Sequence, residues 1–270
     1  MSVPHRVVPS DAGFALMVPP QMVGTAIAAL DAQDQETAEG PPRDAAPPDH
    51  GPSFVGAGIG ITLLAFYVVA GARTGPDAQG WFRRGSAIAD AIVRHHEFWR
   101  AVTALTLHSD IMHVTGNVVA SLIFVTALGR WLGGGVALLA TLLAGSLGNL
   151  LTSYIYVTSH NVVGASTSTF GALGVLGGLQ FVRRFRMRGV GRKKRALLGI
   201  AAALGLLAML GMGERSDVVA HASGLGFGIV FGVLLGVWPK RPLGPIGQAL
   251  ALAATFAIVI GAWLLAFHHA

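Results

Sequence analysis

The chain contains no cysteine, so disulfides and thiolate metal sites are excluded. Charge is also scarce. Only 12% of the 270 residues are charged, against about 25% in soluble domains. The net charge of +6 would ordinarily raise nucleic acid as a partner. Here the charges sit in short clusters between long apolar runs, a pattern that orients a membrane protein and leaves no basic face for nucleic acid. No repeat relates the two halves of the chain and the apolar runs hold almost no ionisable residues, which argues against a transporter. What is abundant is hydrophobic sequence, at 53%, and glycine, at 37 residues. Glycine is commoner in membrane helices than in soluble ones.

Residues 1–50 differ from the rest. The stretch "DAQDQETAEGPPRDAAPPDHGP" is rich in Asp, Glu, Pro and Ala and has no apolar period, so residues 1–50 are expected to form a disordered tail. Before it, "FALMVPPQMVGTAIAAL" is mildly apolar, but Pro19–Pro20 interrupts it and neither half reaches the ~20 residues a span needs. It lacks the basic start of a cleaved signal peptide.

Seven segments have the length and apolarity to cross a bilayer, near 53–72, 110–129, 135–157, 166–182, 196–213, 217–238 and 248–267. Backbone groups in lipid must be bonded internally, so the spans are predicted to be helices. The fold class is therefore all-α, a polytopic helical membrane bundle of about seven transmembrane helices. Residues 51–240 would form a six-helix core and 241–270 an additional C-terminal helix. The loop "RRFRMRGVGRKKR" holds eight basic residues and no acid, so it is placed in the cytoplasm. That puts the N-terminus in the cytoplasm as well, and the long loop 73–109 outside.

In this orientation spans two, four and six start at the same membrane face. His113 and Asn117 lie near the start of span two, Ser166 opens span four and His221 lies near the start of span six. Polar side chains in a membrane are costly unless partnered, so three at one level point to a shared wet cavity. A serine hydroxyl becomes nucleophilic when a base accepts its proton, and His221 is a suitable base. Attack on a carbonyl needs donors for the oxyanion, and the candidates are the Asn117 amide, the His113 ring and the Ser166 N–H at a helix start. The nearby carboxylates, Asp110 and Asp217, each begin a helix and read as N-caps, which leaves a Ser–His dyad without a third member.

At this point the motifs become specific. "GASTSTFGALG" resembles the Gly-x-Ser-x motif of the rhomboid intramembrane serine proteases, with Gly164 and Ser166 in place. "HSDIMHVTGN" resembles their His-x-x-x-Asn segment, here His113 and Asn117, with His108 upstream. "AHASGLGFG" resembles their His-x-x-Gly-x-x-x-Gly segment, here His221, Gly224 and Gly228, and Trp99–Arg100 is similar to a Trp-Arg stretch of the first external loop. The resemblance covers about 98–236. It implies a serine endopeptidase that cleaves transmembrane segments of other proteins, with Ser166 as nucleophile, His221 as general base, and His113, Asn117 and the Ser166 N–H as oxyanion hole. It implies no metal, no cofactor and no obligatory partner beyond substrate and lipid bilayer. Phe170 would pack on the His221 ring, and span seven resembles the variant with one extra C-terminal helix. The competing reading is a catalytically inactive relative that binds or retains membrane clients. Such relatives usually lack the serine or the histidine.

One position departs from the family pattern. Thr167 stands where glycine usually follows the serine. It falls in a first helical turn, where φ is negative and glycine is not required, so activity is expected to survive. Ser168 and Thr169 are expected to bond back to backbone carbonyls. Gly224, Gly228, Gly232 and Gly236 recur every four residues and are expected to face Gly171, Gly174 and Gly178 of span four, bringing Ser166 to His221. Trp99 and Arg100 are read as structural, Trp99 as an interface anchor. Asn149, Ser153 and Tyr154 read as interhelical glue. His95, His96, His268 and His269 have no metal-ligand spacing. The loop "GMGERSD" is a candidate gate. With no Arg/Ser-rich leader in view, a bacterial cell membrane is the expected location.

Overall fold

A computed structural model describes residues 3–10, 13–38, 50–71, 78–157, 160–186, 192–210, 217–237 and 243–269. By its contacts the chain divides into two units, residues 1–46 and 47–270.

The first unit corrects the expectation of a wholly disordered tail. β1 (Arg6–Ser10) pairs antiparallel with β2 (Gly13–Met17), Arg6 opposite Met17 and Ser10 opposite Gly13. A short 3₁₀ turn, Pro20–Met22, leads into α1 (Val23–Ala38). Pro19–Pro20 breaks an apolar run in the sequence but starts a helix in the structure, because proline at the first helical position has its φ already set and loses no hydrogen bond. The Ala-rich stretch that follows, with Leu30, Gln33, Gln35 and Glu36, holds enough good helix formers to be helical without being amphipathic. Residues 39–49 lie outside the described residues.

The second unit is helical. In order it contains α2 (Val55–Ala70), α3 (Ala78–Gly85), β3 (Ala87–Ile88), α4 (Ala89–His95), α5 (Arg100–Thr103), a 3₁₀ turn Ala104–Thr106, α6 (Ile111–Leu132), α7 (Gly134–Tyr156), β4 (Asn161–Val162), α8 (Ser166–Arg186), α9 (Arg192–Leu210), α10 (Val218–Val237) and α11 (Pro245–His268). The chain is thus an all-α membrane bundle. Seven of these helices, α2 and α6 to α11, match the seven predicted spans. Among the described residues, four are long and apolar enough to cross by themselves: α6, α7, α10 and α11. The other three have local reasons to fall short. α2 has 16 residues, or about 24 Å. α8 ends in Arg183, Arg184 and Arg186, and most of its body is buried by other helices. α9 opens with four basic residues, Arg192, Lys193, Lys194 and Arg195.

α8 is the centre of the bundle, with α6, α7, α9 and α10 all packed on it. Its closest partner is α10, which runs parallel to it. Glycines of α10 meet α8 carbonyls in a fixed register: Gly224 at Thr167, Gly228 at Gly171, Gly232 at Val175. In return Gly174 and Gly178 of α8 lie under the carbonyls of Leu225 and Ile229. A side chain at any of these positions would collide with backbone, so the stripe read from sequence sets the spacing of the two helices.

The loop before α6 is folded. β3 pairs antiparallel with β4, Ala87 opposite Val162 and Ile88 opposite Asn161, which fastens the segment between α2 and α6 to the strand leading into Ser166. Buried Arg100 staples the loop from within. Its Nη1 donates to the carbonyls of Arg83 (2.8 Å) and Ser86 (3.1 Å), and its Nε donates to Glu97.

Candidate active site

Ser166 is the first residue of α8 and His221 lies one turn into α10. The glycine register brings these ends together, and Ser166 Oγ lies 2.8 Å from His221 Nε2. The His221 ring is buried and packs on Phe170, with centroids 4.6 Å apart and planes tilted by 31°. Phe170 is four residues past Ser166 on the same helix face.

Both groups open onto a cavity of about 720 Å³. His113, Asn117, Ser109, Asp110, His160 and Asp217 supply its polar wall, and Met112, Phe124, Val163 and Leu173 supply apolar lining. Leu173 lies seven residues along α8 from Ser166, or about 10 Å deeper, so the cavity runs from a polar rim into an apolar floor.

The donors sit on α6. Asn117 Nδ2 donates one hydrogen to the His113 carbonyl at 3.1 Å and keeps its second for another acceptor. His113 is governed by its neighbours. Ser109 Oγ donates to Asp110 Oδ2 at 2.9 Å and lies 3.1 Å from His113 Nδ1. With its only hydrogen given to the carboxylate, Ser109 accepts from His113 Nδ1–H, and the neutral ring then presents a lone pair at Nε2. When Ser109 turns its hydrogen to Nδ1, the His113 proton moves to Nε2. Asp110 is also the N-cap of α6, accepting the His113 backbone N–H at 2.9 Å. That amide, and then the Ser109 hydroxyl, hold the Asp110 carboxyl below the usual range.

The segment before Ser166 is fixed by backbone bonds. Gly164 N donates to the Ala104 carbonyl at 2.9 Å and Ala165 N donates to His108 Nε2 at 3.3 Å. Burial, and then the neighbouring His113, lower the His108 pKa to about 3, so the ring is a neutral acceptor with its proton on Nδ1. Gly164 has φ +122°, and a Cβ there would collide with the His113 ring. Glycine is required on both counts. The Ala165 carbonyl accepts from Ser168 Oγ at 2.7 Å, from Thr169 Oγ1 at 3.0 Å and from Thr169 N at 2.9 Å. Ser168 and Thr169 thus secure the turn that presents Ser166.

Thr167 is fully buried at a junction of three helices. A Cβ on Gly148 of α7 would lie 2.7 Å from its Cγ2 and 2.8 Å from Gly224 N. Two glycines therefore make room for the threonine that stands in place of a third. Gly228 supports the next turn of the same seam. Arg100 acts in the loop staple described above. Trp99 is half-buried, its ring stacked on His269 with centroids 5.1 Å apart. Asn149 donates to the Ala101 carbonyl at 3.0 Å and Ser153 bonds back to Asn149, whereas Tyr154 is exposed. In the candidate gate loop, residues 211–216 lie outside the described residues.

His160 is a residue that sequence reasoning missed. It donates from Nε2 to Asp217 Oδ2, and Asp217 Oδ1 caps α10 by accepting from Ala220 N at 2.9 Å. The Asp217 carbonyl accepts the backbone N–H of His221 at 3.0 Å, and His160 stacks on Tyr156. The N-cap reading of Asp217 is right but incomplete, since the second oxygen ties the α7–α8 connection to the helix carrying His221. Nothing in the spacing of residues 57 positions apart signals that pair. Among the described residues no group of three or more His, Asp or Glu is placed to hold a metal.

A family model described as the Rhomboid domain matches residues 95–238, more than half of the chain. The chain belongs to the rhomboid family. It is 30% identical over 142 residues to a putative rhomboid protease, YdcA, of Bacillus subtilis, a match covering 53% of this chain and 69% of that protein. It is 31% identical over 127 residues to the rhomboid protease GluP of the same organism, covering 46% of this chain and 24% of the relative. Rhomboid-like protease 2 of Toxoplasma gondii is 24% identical over 187 residues, covering 69% of this chain and 63% of the relative. These relatives and the apolar helices mark the chain as an integral, multi-pass membrane protein of intramembrane-protease type.

Proposed function

We propose that this rhomboid-family protein is an intramembrane serine endopeptidase working through a Ser166–His221 dyad. The observation that carries the reading is the 2.8 Å contact between Ser166 Oγ and His221 Nε2 at the mouth of a cavity reaching into the bundle. Such a distance permits direct proton transfer.

The chemistry proceeds in two halves. Ser166 Oγ attacks the carbonyl carbon of a peptide bond while its proton passes to His221 Nε2. The oxyanion is met by the Ser166 N–H at the positive end of α8, by the spare hydrogen of Asn117 Nδ2, and by His113 when its proton sits on Nε2. His221 then returns the proton to the leaving amine, the C–N bond breaks, and an ester on Ser166 remains. A water, deprotonated by His221, attacks the ester and releases the carboxylic acid and the free serine. The polar rim of Ser109, Asp110, His160 and Asp217 supplies a hydrated approach, and the apolar floor accepts a side chain of a transmembrane segment. Substrates would be membrane helices opened at the rim. The eight basic residues of 183–195 favour the cytoplasmic side for the other end of α8, and cleavage would then occur near the outer face.

Incubation in proteoliposomes with a panel of labelled transmembrane peptides tests this. Wild type should cut at least one peptide at a defined bond and Ser166→Ala should cut none. Equal products from both proteins would refute the assignment. Binding without cleavage by folded wild type would favour the client-retaining alternative.

A further inference from the structure

The family match ends at residue 238, before α11 begins. The contacts of α11 nevertheless lead back to the segment that carries Ser166. From α11, we infer that Trp263 is a positioning residue for the site and that α11 is part of the catalytic scaffold.

α11 packs on α7 and on the first external loop, through α5 and α3. It is fastened at both ends. At one end, Gln248 Nε2 donates to the Leu132 carbonyl at 2.7 Å and Gln248 Oε1 accepts from Val136 N at 3.1 Å, closing over the α6–α7 turn. At the other, Trp263 meets Trp81 edge-on at 4.9 Å and stacks with Phe66 at 6.0 Å. Gly85 leaves no room for a Cβ, which would lie 2.5 Å from the Trp263 ring.

The decisive contact is polar. Trp263 Nε1 donates to Thr106 Oγ1 at 3.2 Å, with both residues buried. Thr106 Oγ1 in turn donates to the Thr103 carbonyl at 2.8 Å, and Thr103 Oγ1 to the Gly85 carbonyl at 2.7 Å. This chain of bonds fixes the 3₁₀ turn whose Ala104 carbonyl holds Gly164 N. The turn leads directly to His108, which holds Ala165 N. Leu107 and Val163, the neighbours of His108 and Gly164, share one buried cluster with Trp263 and Ala266. The backbone N–H groups of Gly164 and Ala165, the two residues before Ser166, are therefore set by a wall that Trp263 braces. An indole N–H bonded to a buried hydroxyl does more here than fill space, because losing it leaves Thr106 Oγ1 with its donated bond to Thr103 but with a buried lone pair that has lost its donor.

The catalytic consequence rests on Ser166 being the nucleophile, and the structural one does not. Local hydrogen exchange and kinetics, measured together on Trp263→Phe, Thr106→Val and the double variant, separate the two. Exchange at residues 163–167 should quicken about tenfold in each variant while that of 228–237 stays unchanged. On a cleavable transmembrane peptide kcat should fall about tenfold with KM within twofold, the double variant matching either single one. Thr106→Ser should restore both readouts, and Phe256→Ala, on an exposed part of α11, should alter neither. Unchanged exchange at 163–167 in folded Trp263→Phe overturns the inference. Quickened exchange in a wild-type background that cleaves nothing sinks the protease reading and leaves the brace standing. Quickened exchange with unchanged kcat overturns the positioning role.

Discussion

Replacing Gly224 by alanine adds one methyl group at a close backbone contact between α8 and α10. The new Cβ would sit against the Thr167 carbonyl oxygen, with the carbonyl carbon and Thr167 Cγ2 each 3.0 Å away. Carbon contacts are comfortable at about 3.5–4.0 Å. Backbone on both sides prevents the clash from being relieved by a rotamer change, so α8 and α10 must part by on the order of 1 Å. The Ser166–His221 contact, 2.8 Å in the native packing, then leaves hydrogen-bonding range. A misplacement of that size costs about 100-fold in rate, and overpacking costs about 1–3 kcal/mol of stability. Gly226→Ala is the matched control, because a Cβ there meets nothing within 4 Å and the helix gains about 1 kcal/mol of intrinsic propensity. Cleavage of a labelled transmembrane peptide in proteoliposomes, normalised to folded protein, compares the two. Equal rates for Gly224→Ala and Gly226→Ala would refute the argument that close helix contact sets the dyad.

Three other perturbations follow from the same geometry. Thr167→Gly removes a methyl packed between Gly148 and Gly224 and exchanges threonine for glycine in a helix, for a loss of no more than about 1 kcal/mol in thermal or denaturant unfolding; its cleavage rate should not exceed wild type, and a tenfold rise would show that threonine obstructs the site. His160→Ala frees Asp217 Oδ2 from the α7–α8 connection and should lower kcat about tenfold, the lower end of the cost of one charge-assisted hydrogen bond, with His160→Asn recovering part of it; wild-type turnover in His160→Ala would deny the pair any role. Gly164→Ala places a side chain at φ +122° and against the His113 ring, so at least a 10-fold fall in kcat and a stability loss above about 1 kcal/mol are expected; native activity in that variant would show that the His113 wall is not part of the chemistry.

The legible parts of this molecule were those with local signals. Seven apolar stretches map onto seven helices, because length and hydropathy are properties of a segment by itself. The glycine stripe on α10 gave its facing partners as well, since only small residues permit backbone to meet backbone. Asp110 was readable as a cap, and Ser168 and Thr169 as back-bonded hydroxyls, from their places in a first turn. The contacts that hold the polar rim were not readable. His160 and Asp217 belong to two different connections, and so do Trp263 and Thr106; each residue alone looks like an ordinary loop or membrane-edge side chain. Residues 31–38 misled for the opposite reason. Their composition resembles disorder, yet they continue a helix that follows Pro20 and has no apolar face.

Labelling by a fluorophosphonate probe, with the modified residue mapped by mass spectrometry, bears most directly on the central claim. A hydroxyl activated by the imidazole beside it should react in wild type at Ser166 and nowhere else. Ser166→Ala and His221→Ala should both stay unlabelled while remaining folded. Labelling that persists undiminished in His221→Ala, or a folded wild type that takes up no probe, would contradict it.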